Sequence, residues 1–189
     1  MKRIVFLLFT IANVQLLVAQ TGSLPPGPDS INQRIFLLGD AGDMNSATHP
    51  WIDWLKKNVD WNDEKNSVIF LCDNVYPFGL PLEGDPSYPH SKAILDDQIS
   101  LVKDKKAKAF FIPGNHDWRN GKLGGWEQVV NQVDYINGLQ LKNVQAWPLN
   151  GCPGPIEVEL SDKVVVVLID SQWFLYLHDK PGPGSNCSS

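Results

Sequence analysis

The sequence predicts an α/β domain, a layered sandwich in which parallel strands alternate with helices. Three observations carry this. Short, continuous apolar runs of strand length recur at 34–39 (RIFLLG), 67–72 (SVIFLC) and 108–113 (KAFFIP), as expected of strands covered on both faces. Longer segments with helical periodicity separate them. Each apolar run then gives way at once to an acidic or amide residue. The order is βαβαβα followed by a hairpin, which is the pattern of a layered α/β sheet.

The elements follow in chain order. Residues 1–19 begin with Met1-Lys2-Arg3 and continue as an apolar stretch broken only by Thr10, Asn13 and Gln15. This is the layout of a secretory signal and is short for a membrane span. The expected product is exported, periplasmic or secreted, with no membrane span after signal removal and no cysteine placed for a lipid anchor. Residues 20–33, rich in Pro, Gly and Ser, read as a linker, and 34–189 as the domain portion.

The strand at 34–39 leads to a helix over 51–59, started by Pro50, with Trp51, Trp54, Leu55 and Val59 as its apolar stripe. The strand at 67–72 leads through a Pro- and Gly-rich loop, 73–90, to a helix over 91–106. That helix carries Ile94, Leu95, Ile99 and Val102 on one face and lysines at its end, as the helix dipole favours. After the third strand, Trp126, Val129, Val130, Val133 and Ile136 fit a helical period. Residues 155–160 (PIEVEL) and 163–169 (KVVVVLI) flank Ser161-Asp162 and read as a hairpin.

Composition narrows the function. The chain carries a formal net charge of −5 and loses two positive charges with the signal. An acidic balance without a basic patch gives no footprint for nucleic acid. Three cysteines, Cys72, Cys152 and Cys187, allow at most one internal disulfide. Cys152–Cys187 is the expected pair, since both sit in Pro/Gly/Ser-rich loops. His49, His90 and His178 lie in loop-like contexts and read as solvated.

The strand ends are the informative places. The first is followed by Asp40, the second by Asp73 with Asn74 and Tyr76 behind it, the third by Asn115, His116 and Asp117. Parallel strands deliver their C-terminal ends to one edge of a sheet, where α/β folds bind ligands. Any one of these residues alone reads as a turn former or cap. Together they bring carboxylates to one spot, where they repel unless a cation sits among them. Carboxylate, amide and imidazole donors suit divalent or trivalent metals. Asp170, after the last long strand, reads equally as a site residue or a cap. A nucleotide-binding Rossmann site is disfavoured, because Gly39-Asp40-Ala41-Gly42 is not G-x-G-x-x-G and Asp40 would face the phosphates.

Gly39-Asp40-Ala41-Gly42, Asp73-Asn74-Val75-Tyr76 and Gly114-Asn115-His116-Asp117 together resemble the first three motifs of the calcineurin-like metallophosphoesterases. The nearest branch is the purple acid phosphatases, with motifs G-D-x-G, G-D-x-x-Y and G-N-H-D/E. The resemblance implies a metallophosphoesterase sandwich and phosphate ester hydrolysis at a dinuclear centre, of iron with iron, zinc or manganese. It implies Asp40 as ligand to the first metal, Asp73 as the bridge, Asn115 as ligand to the second, and Tyr76 as a phenolate to ferric iron. His116 would contact the phosphate and protonate the leaving group, with Asp117 orienting it. The implied substrate is a phosphorylated small molecule or phosphoprotein.

Two departures stand out. Cys72 occupies the place of the family's Gly before the bridging Asp. The family's downstream V-x-x-H and G-H-x-H segments do not occur, and only His178 follows His116. The expectation is therefore the N-terminal half of the domain plus the hairpin. Alone it would hold fewer than two metals, lack turnover, and expose a sheet face that favours self-association. The alternative is a non-catalytic exported module whose sheet binds a partner.

Overall fold

A computed structural model describes residues 31–44, 49–182 and Cys187. The expected signal and most of the linker lie outside the described residues. Four strands, β1 (Arg34–Gly39), β2 (Asn66–Leu71), β3 (Lys108–Ile112) and β4 (Val144–Ala146), form one parallel sheet in the order β1-β2-β3-β4. A strand order that never reverses keeps successive crossovers on the same side. Helices α1 (Pro50–Asn58), α2 (Tyr88–Ile99) and α3 (Gly125–Gly138) accordingly share one core. Ile52, Leu55, Ile94, Leu95, Val129 and Val133 meet Val68, Phe70, Ala109 and Phe111 from the sheet.

The opposite face is met by β5 (Ile156–Ser161) and β6 (Val164–Leu168), an antiparallel pair in a separate two-stranded sheet. Leu160 and Leu168 pack there against Ile69, Phe110 and Ile112. A four-residue helix, α4 (Gln172–Leu175), follows. The molecule is thus a Rossmann-like layered α/β fold: helices, parallel sheet, hairpin. The Cys152–Cys187 disulfide forms, with Cα atoms 5.4 Å apart. Among the described residues no helix is long and apolar enough to cross a membrane.

Several expectations are corrected. On α1 the buried residues are Ile52 and Leu55, while Trp51 and Trp54 are 67% and 53% exposed. This helix serves the edge strand β1, so only a narrow stripe meets the sheet. Helix α2 starts at Tyr88 and ends at Ile99 rather than spanning 91–106. Leu101 and Val102 remain buried, but in turns, and Asp104 takes a left-handed φ of 60° that no continuing helix permits. Strand β4 was not anticipated, since three residues carry no readable period. The second sheet face is covered by the hairpin over β2 and β3. What stays open is its β1 part, Ile35 and Leu37.

Candidate functional site

Register places the site. Gly39 lies opposite Leu71, and Leu71 opposite Ile112, so three strands stop on one line. The residues after them leave from one rim. Asp40, Cys72 and Asp73 all take left-handed backbone, with φ of 54°, 60° and 54°. Such a conformation costs on the order of 1 kcal/mol or more at each non-glycine residue and persists only where the surroundings impose it. Here they do. Gly42 N donates to Asp73 O at 3.0 Å and Cys72 N to Ile112 O at 3.1 Å, tying the three loops together. Gly114 is packed so closely that a Cβ would lie 2.3 Å from Cys72 Cβ and 2.4 Å from Asp73 Oδ1.

The side chains converge as a chain of contacts. Tyr76 Oη donates to Asp40 Oδ1 at 2.6 Å and lies 3.4 Å from Asp73 Oδ2. The other Asp73 oxygen accepts His116 N at 2.9 Å. The Tyr76 and His116 rings stack with centroids 3.8 Å apart. His116 Nδ1 is 2.8 Å from Pro77 O; a carbonyl only accepts, so Nδ1 carries a proton and Nε2 is the nitrogen left for a ligand. Asn115 stands apart from this chain of contacts. Its Nδ2 donates to Asn120 Oδ1 at 2.9 Å, which leaves its own Oδ1 for a ligand.

Asp117 has a different place from the one expected. It is fully buried and accepts from Asn74 N at 3.1 Å, Asn74 Nδ2 at 3.2 Å, Val75 N at 3.1 Å and Gly114 N at 2.8 Å. It staples the second loop to the third, and Pro77 orients His116 in its stead. Asp170 is a cap: it accepts from Gln172 N and Trp173 N at 3.0 and 3.2 Å, and from Trp118 Nε1 at 2.7 Å. His49 is buried rather than solvated, whereas His90 and His178 are exposed as expected.

Electrostatics follow from two carboxylates without a cation. Burial foremost, then the hydrogen bond to Asp40 and the nearby carboxylate charges, holds the Tyr76 phenol well above its ordinary range. Burial and the charges of Asp73, Asp40 and Asp117 push the Cys72 thiol up to about 11. Burial raises Asp117 to about 6 against the pull of its backbone donors. Among the described residues no three or more His, Cys, Asp or Glu side chains form a metal-holding group by themselves. The convergent donors are two carboxylates and a phenol. That hard-oxygen set fits one hard cation, which would also reverse the upward pressure on Tyr76.

Sequence reasoning missed the supports. Pro77 acts through its carbonyl, which no side-chain pattern reveals. Asn120 was hidden in an exposed turn. Gln98 had a signal: it is a polar residue beside the apolar stripe of α2, and buried there it donates to Ala41 O at 3.1 Å and Asn74 O at 2.8 Å, bracing both the first and second loops.

No family model, curated protein or solved structure matches the chain.

Proposed function

We propose that this chain carries the metal-binding portion of an exported phosphoesterase of the metallophosphoesterase type, hydrolysing phosphate esters. The observation that supports this best is the placement of Tyr76 Oη against both Asp40 and Asp73 on a level three-strand rim. Asp40, Asp73 and Tyr76 would hold one metal; Asp73 and Asn115 Oδ1 are too few donors to hold a second by themselves. A metal so held would supply Lewis acidity to a phosphoryl group and a more acidic water. The protein's own part is positioning. Asp73 fixes the backbone of His116, Tyr76 stacks on its ring, and Pro77 sets its tautomer. When protonated, the His116 imidazole holds a proton for the leaving oxygen.

Equilibrium dialysis against zinc(II) or iron(III) tests the reading. The expected result is one metal per chain in the wild type, with affinity at least tenfold lower in Asp73→Asn and Asp40→Asn, in line with loss of a charged ligand. Binding that neither substitution weakens removes the basis of the proposal. The second reading, a non-catalytic binding module, is favoured by one feature: among the described residues no strand pairs with the outer edge of β1, which is flanked by exposed Leu37, Trp51 and Trp54.

A further inference from the structure

Helix α2 buries an uncharged polar side chain among the apolar residues of its inner face. Ile94, Leu95 and Ile99 are buried on this helix, and Gln98 lies among them at 1% exposure. Both hydrogens of its amide go to backbone carbonyls: Nε2 donates to Ala41 O at 3.1 Å and to Asn74 O at 2.8 Å. Its Oε1 is buried and, among the described residues, has no partner. A buried acceptor without a donor is destabilising, so packing alone does not explain a glutamine here. A residue that breaks the local rule at a cost in stability points to a functional reason. The carbonyls it holds supply one. Ala41 follows Asp40, and Asn74 follows Asp73. Both aspartates have a left-handed φ of 54°, which persists only where neighbouring structure imposes it. Their loops also meet directly: Gly42 N donates to Asp73 O at 3.0 Å, and a Cβ on Gly42 would lie 2.4 Å from Asn74 C. Gln98 reaches this junction from the helix layer as a fork, each prong ending one residue past a carboxylate.

We infer that Gln98 is a positioning residue for the metal rim: by fixing the backbone just after Asp40 and Asp73, it sets the separation at which the two carboxylates and Tyr76 Oη meet one cation. The inference rests on the metal-site reading above. Gln98 supplies no ligand of its own. It acts through the peptide groups next to the two aspartates, and it ties their geometry to a helix whose other buried residues serve the core. Asp117 joins the second loop to the third in a comparable way; Gln98 joins the first to the second. With the fork removed, Ala41 O and Asn74 O lose this donor and the two loops relax independently. The carboxylates then no longer present a single cation site at the phenol. Outer residues that orient metal ligands typically change affinity by about 10–100-fold.

Iron(III) titration of the full chain, read both as affinity and as the position of the phenolate charge-transfer band, tests this in Gln98→Met, which keeps the volume and removes both donors. The expected result is roughly tenfold weaker binding and a displaced band. Ile136→Val, a buried change in the last turn of α3, lowers stability away from these loops and should leave both readouts at their wild-type values. If Gln98→Met does not fold, Gln98→Asn, which carries the donors on a shorter stem, takes its place with the same expectation. Wild-type affinity or an unmoved band in the Gln98 variant, or equal losses in Ile136→Val, refutes the positioning role while the metal site stands. A wild-type chain that binds no iron(III) overturns the metal reading itself, and the inference with it.

Discussion

At the scale of single residues, buried carboxylates and left-handed backbone decide most of what this rim does. Cys72 is the plainest case. Its place after β2 has a φ of 60°, a conformation natural to glycine and strained for a thiol-bearing residue, and the neighbouring Gly114 has no room for a Cβ of its own. The sequence showed Cys72 as a departure from the motif; only the backbone shows why glycine suits the position. Asp170 gives a prediction with a definite sign. Burial raises its carboxyl from 3.8 to about 7, against hydrogen bonds from Trp118, Trp173 and Gln172. The folded pKa lies above the unfolded one, so this group's contribution to stability is fully present below about pH 4 and lost as pH rises to about 7. In the Asp170→Asn variant, the fall in Tm from pH 4 to 7 should be shallower than in the wild type, with Trp118 fluorescence following the same titration in the wild type. Parallel Tm profiles for the two proteins would assign the slope to other groups.

At the scale of elements, the strands were legible and the helix faces less so. The runs at 34–39, 67–72 and 108–113 appear within a residue or two as β1, β2 and β3, because continuous apolar β-branched and aromatic residues have few alternatives in a parallel sheet. The hairpin was legible for a similar reason, with Ser161-Asp162 at its turn. The α1 stripe was misread because tryptophan attracts a core assignment, whereas a helix at a sheet edge buries only what the last strand can reach. That Asp40, Asp73 and the Asn115-His116 turn leave from one sheet edge could be read from strand order, since register does the rest; Tyr76 was singled out as a ligand only through the family resemblance. The role of Asp117 could not be read so, because a carboxylate that accepts from three loop amides looks in sequence like one that faces the solvent. The α1 correction is open to measurement. Ile52→Ala should cost about 2–4 kcal/mol of unfolding free energy, and Trp54→Gln about 0.5 kcal/mol or less, by urea titration. Comparable losses at the two positions would restore the tryptophan stripe as the buried face.

At the scale of the whole molecule, the layered arrangement leaves one unfinished side. Three helices and the hairpin cover the centre of the parallel sheet, but among the described residues no strand pairs with the outer edge of β1, and Leu37 is 60% exposed beside Trp51 and Trp54. Open edges with apolar flanks recruit further strands. Sedimentation velocity should therefore show concentration-dependent association of the protein, reduced by Leu37→Lys, which places a charge on that face. A monomer at all concentrations, or association indifferent to the substitution, would locate no partner surface at β1. The same architecture sets the rim, because strands level at Gly39, Leu71 and Ile112 are what bring two carboxylates under one phenol. That rim as a metal centre is the central claim, and iron(III) titration followed by visible absorbance addresses it most directly. A phenolate–iron charge-transfer band should rise to one equivalent, shift when inorganic phosphate is added, and be absent from Tyr76→Phe. A titration without such a band, or one that Tyr76→Phe leaves unchanged, would contradict it.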